Sequence, residues 1–174
     1  MKYVALLRGI NVGNSVKISM KELKELFETL GYTNVSTYIN SGNVLFESVD
    51  TRKNITSEIQ KSLLDKAKTE IKVLIKTKLE IIKIAQSIPI EWENNSDQKT
   101  DVAYLFDSID NKKIIEELPI KKEYIQIKYV KGALIWNVNR EHYNKSQLNK
   151  IISHKVYKNM TLRNVNTARR LAEF

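Results

Sequence analysis

Hydrophobic and polar positions in the first half of the chain follow a series of distinct patterns. An apolar run over residues 3–7 predicts a buried strand. Ser19 and Glu22 have the spacing of a helix capping box, and apolar residues then recur at helical spacing until a glycine ends the helix. Strand-like runs over residues 35–40 and 43–46 flank a Ser-Gly pair, which is typical of a hairpin.

The next segments complete a six-element order. Apolar residues at 55, 59 and 63 predict a second helix, and residues 72–76 predict a short strand. The order strand, helix, strand, strand, helix, strand is that of a ferredoxin-like βαββαβ unit. The pattern therefore predicts a first ferredoxin-like subdomain over residues 1–77.

A connecting segment is predicted over residues 78–100. Thr77 and Glu80 have capping-box spacing, which predicts a further helix that ends at Pro89. Residues 91–100 are polar and have no periodicity, so we expect a linker there.

The second half repeats the order of the first. The strand-like stretch "DVAYLFDSI" at 101–109 is similar to the opening "YVALLRGI". We predict a helix over 110–118, strands over 125–129 and 134–138, and a helix around 146–152. The fold class is therefore expected to be α+β, with two ferredoxin-like subdomains in tandem, the second over 101–174 with an extra C-terminal helix.

The C-terminal stretch "TLRNVNTARRLAEF" predicts that last helix, with Thr161 as its cap. Residues 162, 165, 168 and 172 form an apolar stripe at helical spacing. At one hundred degrees per residue, the opposite face is expected to carry Arg163, Asn166, Thr167 and Arg170.

Composition removes several kinds of chemistry. The chain has no cysteine, which excludes disulfides, thiolate nucleophiles, iron–sulfur clusters and cysteine zinc sites. His142 and His154 are too far apart in sequence to form a helical metal pair. We therefore expect no metal and no cofactor.

Charge and hydropathy indicate the compartment and the class of partner. The apolar run before Arg8 is too short for a signal peptide, and no run approaches a membrane span, which predicts a cytoplasmic protein without a membrane partner. The net charge of +9 is mostly lysine and is spread evenly along the chain. That distribution favours a solvated basic surface over a nucleic-acid footprint, with weak non-specific binding of nucleic acid.

Two glycine-containing polar turns are the main candidate site. Neither turn has the spacing of a dinucleotide fingerprint or a P-loop. In a βαββαβ unit, the end of the first strand and the turn between the second and third strands lie at one sheet edge. The topology thus places Arg8, Gly9 and Asn11 beside Asn40, Ser41, Gly42 and Asn43. An arginine fork with amide donors suits a small ligand that carries phosphate or carboxylate.

A plainer interpretation remains open for the same residues. Asn, Ser and Gly are common turn residues, so the sequence "NSGN" is also what an ordinary hairpin requires. Arg163 and Arg170 also suit a solvated helix face. Arg8 ends an apolar strand, where an arginine needs a partner or lines a cleft.

Three blocks of the sequence resemble a known bacterial family. The blocks "YVALLRGINVG", "KELKELFETLGYTNVSTYINSGNVLFES" and "TLRNVNTARRL" are similar to the family filed as domain of unknown function 1697. The resemblance implies two ferredoxin-like subdomains and no established activity. It also implies a polar signature that extends to the C-terminal segment. Beside the turn residues, this signature includes Gly13, Arg163, Asn164 and Thr167, so we expect the C-terminal helix to border the same cleft.

Three function classes remain open. A module that binds an anionic ligand fits the arginine-bearing turns and the basic chain. A small enzyme could stabilise an anionic intermediate with arginine and amides. Acid–base candidates near the turns are few: Tyr38 and Lys17 are possible, but the turns contain no histidine or carboxylate that would serve as a general base. A regulatory or assembly module without a ligand is the third class. Specific RNA recognition is less favoured, since "SGNVLF" offers one aromatic residue for base stacking.

Overall fold

The chain divides into two compact units in a computed structural model that describes residues 1–13 and 15–174. The first unit comprises Met1–Ile81 together with Phe174, and the second comprises Ile82–Glu173. Each unit contains a four-stranded antiparallel sheet, and helices connect the strands. The α+β class predicted from the sequence is confirmed.

The elements of the first unit match the predicted order. They are β1 (Lys2–Leu7), α1 (Met20–Thr29), β2 (Thr33–Tyr38), β3 (Asn43–Glu47), α2 (Arg52–Ala67) and β4 (Val73–Thr77), after which α3 (Lys78–Gln86) begins. The strand order is β2-β3-β1-β4, and every neighbouring pair is antiparallel. The end of the central strand β1 therefore lies between the start of β3 and the start of β4.

Caps and core contacts explain why the first unit follows its sequence pattern so closely. The Ser19 hydroxyl accepts a hydrogen bond from the Glu22 N–H, and the Glu22 carboxylate accepts one from the Ser19 N–H, at 3.2 and 3.0 Å. This capping box fixes the start of α1. On the buried face, the ring of Phe46 packs against Phe27 and Tyr32 with centroids 5.2 and 4.8 Å apart. Phe27 of α1 and the residues Ile55, Ile59 and Leu63 of α2 belong to one buried core with the sheet, so both helices cover the same face.

The second unit repeats the strand order of the first. Its elements are β5 (Gln98–Leu105), α4 (Ile114–Glu117), β6 (Gln126–Val130), β7 (Ala133–Asn139), β8 (Met160–Asn164) and α5 (Val165–Glu173). The sheet order is β6-β7-β5-β8, again antiparallel throughout. The core on one face is built around Trp136, which is 1% exposed.

Three predicted segments of the second half are wrong in their details. The linker over 91–100 is shorter, because β5 begins at Gln98. The helix over 110–118 is reduced to α4 and a 3₁₀ turn at Asp107–Ile109, since the Asp110 side chain is tied to the β6–β7 turn. The helix at 146–152 is a 3₁₀ segment, Leu148–Ser153, because Gln147 has a left-handed φ of 59° that interrupts an α-helix.

The C-terminal prediction is also wrong at its start. Residues 160–164 form β8, which pairs with β5, so Thr161 is not a helix cap. The helix begins at Val165, and the Asn164 side chain accepts a hydrogen bond from the Thr167 N–H at 2.9 Å. Arg163 and Thr167 consequently do not lie on a solvated helix face, as they are only 7% and 4% exposed. Pairing with a distant strand overrode the local helical spacing.

None of the helices formed by residues 1–13 and 15–174 combines the length and the apolar character that a bilayer span requires.

Candidate functional site

The C-terminal end of β1 is where the two polar turns of the first unit approach each other. The Leu7 N–H donates a hydrogen bond to the Gly42 carbonyl at 2.8 Å, and the Arg8 N–H donates to the Lys72 carbonyl at 2.9 Å. The Asn11 amide donates to the Asn40 carbonyl at 3.0 Å. The structure thus places residues 8–13 beside the 40–43 turn, and it adds Lys72. We call this region the Arg8 edge.

Asn11 fastens the first turn to the second. Its amide nitrogen also donates to the Ile18 carbonyl at 2.7 Å, and its oxygen accepts from the Ile18 N–H at 2.9 Å. Both ends of the side chain are therefore engaged within the protein. Asn11 serves as a frame for the edge and has little remaining capacity for a ligand.

The loop that follows Arg8 folds back on itself. Backbone φ is positive at Gly9, Asn11 and Gly13. The Asn11 N–H donates to the Val16 carbonyl, and the Lys17 ammonium donates to the Gly13 carbonyl, both at 2.9 Å. The two glycines are thus explained by the backbone shape of the loop.

The 40–43 turn is equally constrained. Gly42 has a φ of 74°, and a Cβ atom there would lie 2.8 Å from atoms of Leu7 and Ile10. The buried Asn43 amide donates to the Tyr38 carbonyl at 2.9 Å and to the Ser41 hydroxyl at 3.0 Å. The hairpin interpretation of "NSGN" therefore accounts for Gly42 and Asn43. Their contribution to the edge is to hold its shape.

Backbone strain accompanies this rigid frame. Ile39, beside the turn, is a β-branched residue with a φ of 47°, and it is 46% exposed. Such a conformation is rare for β-branched side chains and persists only where the surroundings enforce it. Strained residues of this kind concentrate at functional sites.

Two cations stand side by side at the Arg8 edge. β1 and β4 are antiparallel with Leu7 opposite Val73, so Arg8 lies opposite Lys72 in the continued register. Both residues are half-buried. Like charges directly across a strand pair are unfavourable unless an anion lies near them. The register thus places two basic residues opposite each other on a rigid backbone.

A cavity of about 590 Å³ opens at the same edge. It is lined by Asn11, Lys17, Ile18, Ser19, Met20, Glu22 and Asn40. The start of α1 faces this cavity, but its N-terminus is already neutralised by Glu22. Hydrogen bonds from Ser19 and the ion pair with Lys66 at 3.2 Å lower the pKa of Glu22 to about 2. The cation that lines this cavity is Lys17, whereas Arg8 and Lys72 are not among its lining residues.

The predicted C-terminal residues belong to the second unit. Arg163 lies in β8, where its guanidinium donates to the Thr161 hydroxyl at 3.0 Å and to the Leu162 carbonyl at 2.8 Å. Burial lowers the pKa of Arg163 to about 10, and the nearby Tyr104 opposes that change. Asn164 and Thr167 form the cap of α5. That these residues border a cleft with Arg8 stays a prediction.

Tyr104 is a feature of the second unit that the sequence did not reveal. It is fully buried in β5, and its hydroxyl has no hydrogen-bond partner among the described residues. Burial raises the pKa of Tyr104, while the positive charge of Arg163 acts in the opposite direction. A buried hydroxyl without a partner is energetically costly.

Replacing Tyr104 by phenylalanine is therefore expected to stabilise the protein by about 1 kcal/mol, because the variant keeps the ring and removes an unsatisfied polar atom. Urea unfolding at neutral pH measures this change. The matched control is Tyr32→Phe, which removes a 2.9 Å hydrogen bond to Glu58 and should destabilise the protein. A loss of stability in Tyr104→Phe would show that the hydroxyl has a partner in solution.

Lys72 and Tyr104 were not among the candidate site residues predicted from the sequence. Of the two, only Lys72 could have been identified from the sequence pattern. Lys72 precedes β4, and the strand register alone would have placed it opposite Arg8. Tyr104 carried no such signal, since its isolation depends on what packs around it. Within the described part of the chain, no group of three or more His, Asp or Glu side chains is arranged to hold a metal ion.

Comparisons with known proteins give a family and a fold. A family described as "Protein of unknown function (DUF1697)" matches residues 1–136. The solved structure of a conserved bacterial protein, SP0830 from Streptococcus pneumoniae, is similar over 99% of this chain and 97% of its own, with a TM-score of 0.85 and 23% identity. That likeness shows a shared fold, and no curated protein matches the chain. The chain belongs to the DUF1697 family of proteins of unknown function.

Proposed function

We propose that this protein binds a small anionic ligand, carrying phosphate or carboxylate, at the Arg8 edge of the first unit. The observation that carries the proposal is the cross-strand juxtaposition of Arg8 and Lys72 at the end of β1. Arg8 supplies a planar fork that can bind two oxygens at once, and Lys72 adds a second positive charge. A ligand with two or three negative oxygens complements this pair.

The surrounding residues support the proposal by holding the edge rigid. Asn11, Gly42 and Asn43 are each committed to bonds or contacts within the protein. A site that is ordered before its ligand arrives loses less conformational freedom on binding. Among the residues of the turns, Asn11, Gly42 and Asn43 therefore hold the backbone in shape, and Arg8 is the residue that would bind the ligand.

A finer description of the fold belongs to the same proposal. Both sheets have the strand order second, third, first, fourth, with antiparallel neighbours throughout. We interpret each as a ferredoxin-like unit and the chain as an internal duplication. The second unit then carries a different set of polar residues, around Arg163, on the equivalent of the first unit's β4.

Catalysis is the weaker alternative. The turns at 8–13 and 40–43 contain no histidine and no carboxylate that could act as a general base. Arg8 could stabilise an anionic intermediate, but the turns themselves supply no proton acceptor beside it. A cytoplasmic location suits a phosphorylated or carboxylated metabolite and is part of the proposal.

Arg8→Met tests the proposed function. The variant keeps the aliphatic bulk and removes the guanidinium, so relief of the repulsion from Lys72 should leave the melting temperature unchanged or slightly higher. Phosphate, sulfate and nucleotides should raise the melting temperature of the wild-type protein, and this rise should be lost in Arg8→Met. A melting-shift screen at constant ionic strength measures both effects.

The matched control is Lys61→Met, which removes one exposed charge from α2, away from the edge. It should keep the full anion response. Equal loss of response in both variants would contradict a localised site and indicate general charge screening. Unfolding of Arg8→Met by several kcal/mol would instead identify Arg8 as half of a buried structural pair. Salt-resistant binding of one RNA sequence would favour RNA recognition.

A further inference from the structure

The outer side of β6 is an open edge of the second sheet. β6 pairs with β7 alone, and the strand order places it at one end of the sheet. Its register with β7 runs without interruption from Gln126 to Val130. β2, the edge strand at the same place in the order of the first sheet, is instead broken by a register shift between Thr33 and Ser36. Irregularities of that kind protect an edge from pairing with another chain, so β6 is the less protected of the two strands.

The register shows which backbone groups of β6 face outward. The Leu105 N–H donates to the Gly132 carbonyl at 2.9 Å, so alternate residues of β7 from that position onward bond toward β5. The residues between them therefore bond toward β6, and their partners there are residues 126, 128 and 130. The N–H and C=O groups of Ile127 and Tyr129 consequently point away from the sheet. Within residues 1–13 and 15–174, these outward groups form no hydrogen bond.

The side chains of β6 divide between the two faces of the sheet. Ile127 and Tyr129 are half-buried and pack against the core of the second unit. Lys128 lies between them on the opposite face and is exposed. The Tyr129 hydroxyl donates to the Asp110 carboxylate at 3.0 Å, and the Lys128 ammonium donates to the Ser87 carbonyl at 2.9 Å. The side chains beside the open edge are therefore held in place before any partner arrives.

Lys128 determines which strand can pair with this edge. Its ammonium bonds to a neutral carbonyl, and no carboxylate in the described part of the chain lies within 4.0 Å of it. Antiparallel pairing with a second copy of β6 centred on Lys128 would place two lysines directly opposite each other, which is unfavourable. An acidic residue in that place would instead form a cross-strand charge pair. The positions on either side of the acidic residue would face Ile127 and Tyr129, where apolar residues extend the core.

We propose that β6 binds an extended segment of another protein in which an acidic residue lies between two apolar residues. The segment would add an antiparallel strand to the second sheet, and two closely spaced pairs of hydrogen bonds to Ile127 and Tyr129 would hold its backbone. Lys128 would select the acidic residue. This surface belongs to the second unit, whereas the Arg8 edge belongs to the first.

The test is an amide NMR titration of the ¹⁵N-labelled wild-type protein with the peptide acetyl-Thr-Val-Glu-Val-Thr-amide. Saturable shifts are expected at Ile127 and Tyr129. The same peptide with lysine in place of glutamate should bind roughly threefold to tenfold more weakly. N-methylation of either valine removes a donor that points at β6 and should weaken binding roughly tenfold. N-methylation of the glutamate, whose N–H points away from β6, should leave the affinity unchanged.

Four results would overturn the proposal. They are equal affinities of the glutamate and lysine peptides, equal affinities of the two kinds of N-methylated peptide, and the absence of a saturable shift up to millimolar peptide. The fourth is a concentration-dependent shift at Ile127 without peptide, because it would identify a second copy of the chain as the partner.

Lys128→Glu gives an independent measure through an exchange of charge. The variant should bind the lysine peptide roughly threefold to tenfold more tightly than the glutamate peptide, which reverses the wild-type order. Lys53→Glu makes the same change of charge at an exposed position of α2 and should keep the wild-type order. An unchanged order in Lys128→Glu would overturn the proposal. Arg8→Met should bind the glutamate peptide normally, so failure here leaves the proposal for the Arg8 edge intact.

Discussion

Gly42→Ala is expected to destabilise the protein by about 2–5 kcal/mol, the largest effect of any substitution at the candidate site. The φ of 74° costs an alanine about 1–2 kcal/mol, because its Cβ crowds the following carbonyl. The new Cβ would also lie 2.8 Å from the Leu7 Cβ and the Ile10 Cδ1, and such overpacking typically costs about 1–3 kcal/mol. Urea unfolding followed by circular dichroism measures the sum.

Gly31→Ala is the matched control for that experiment. Gly31 has a φ of 86°, but a Cβ there would meet nothing within 4 Å. Only the backbone cost applies, so we expect a loss of about 1–2 kcal/mol. Equal losses in the two variants would contradict the view that the 40–43 turn is closed tightly over Leu7 and Ile10.

Asp110→Ala is expected to destabilise the second unit by about 3 kcal/mol. The Asp110 carboxylate accepts hydrogen bonds from the Gly132 N–H at 2.9 Å and the Tyr129 hydroxyl at 3.0 Å, and the Lys131 ammonium lies 2.9 Å away. Removal of the carboxylate leaves the buried Gly132 N–H without this partner, at a cost of about 1–3 kcal/mol, and also loses the bond from Tyr129. Asp110→Asn keeps an acceptor oxygen and should lose clearly less stability.

The same carboxylate gives the stability of the protein a predicted pH dependence. Burial raises the pKa of Asp110, but the bonds from Lys131, Gly132 and Tyr129 outweigh burial, so its pKa lies below the usual value. A depressed pKa in the folded state contributes stability that is present above the unfolded pKa of about 4 and is lost as the pH falls through the folded value. The acid decline in stability should therefore be smaller in Asp110→Asn than in the wild type, and parallel declines would contradict this assignment.

The first unit could be predicted almost completely from its sequence because its signals are local. The capping box at Ser19 and the helical spacing of Ile55, Ile59 and Leu63 each specify an element without reference to the rest of the fold. The second unit was harder, since β8 exists through pairing with β5 at a separation of about sixty residues. Nothing in the spacing of residues 160–164 distinguishes that strand from the first turn of a helix.

The candidate site, like the fold, could be predicted from the sequence only in part. The strand order alone predicts that residues 8–13 lie close to the 40–43 turn. The hydrogen bond from the Asn11 amide to the Asn40 carbonyl shows that the two segments are in contact. The roles of the individual residues could not be predicted from residue type, because an asparagine at a turn can either hold the backbone or bind a ligand. Only the contacts identify Asn11 and Asn43 as frame residues. Lys72 belongs to the site because the register between β1 and β4 places it opposite Arg8. The sequence pattern specifies that register only indirectly.

A crystal structure of the protein grown or soaked in phosphate tests the central claim most directly. We predict one ordered phosphate at the Arg8 edge, with two of its oxygens within about 3 Å of the Arg8 guanidinium and a third near the Lys72 ammonium. Crystals of Arg8→Met under the same conditions should lack that anion. Phosphate bound only at other lysines in the wild type, with none at Arg8, would contradict the account.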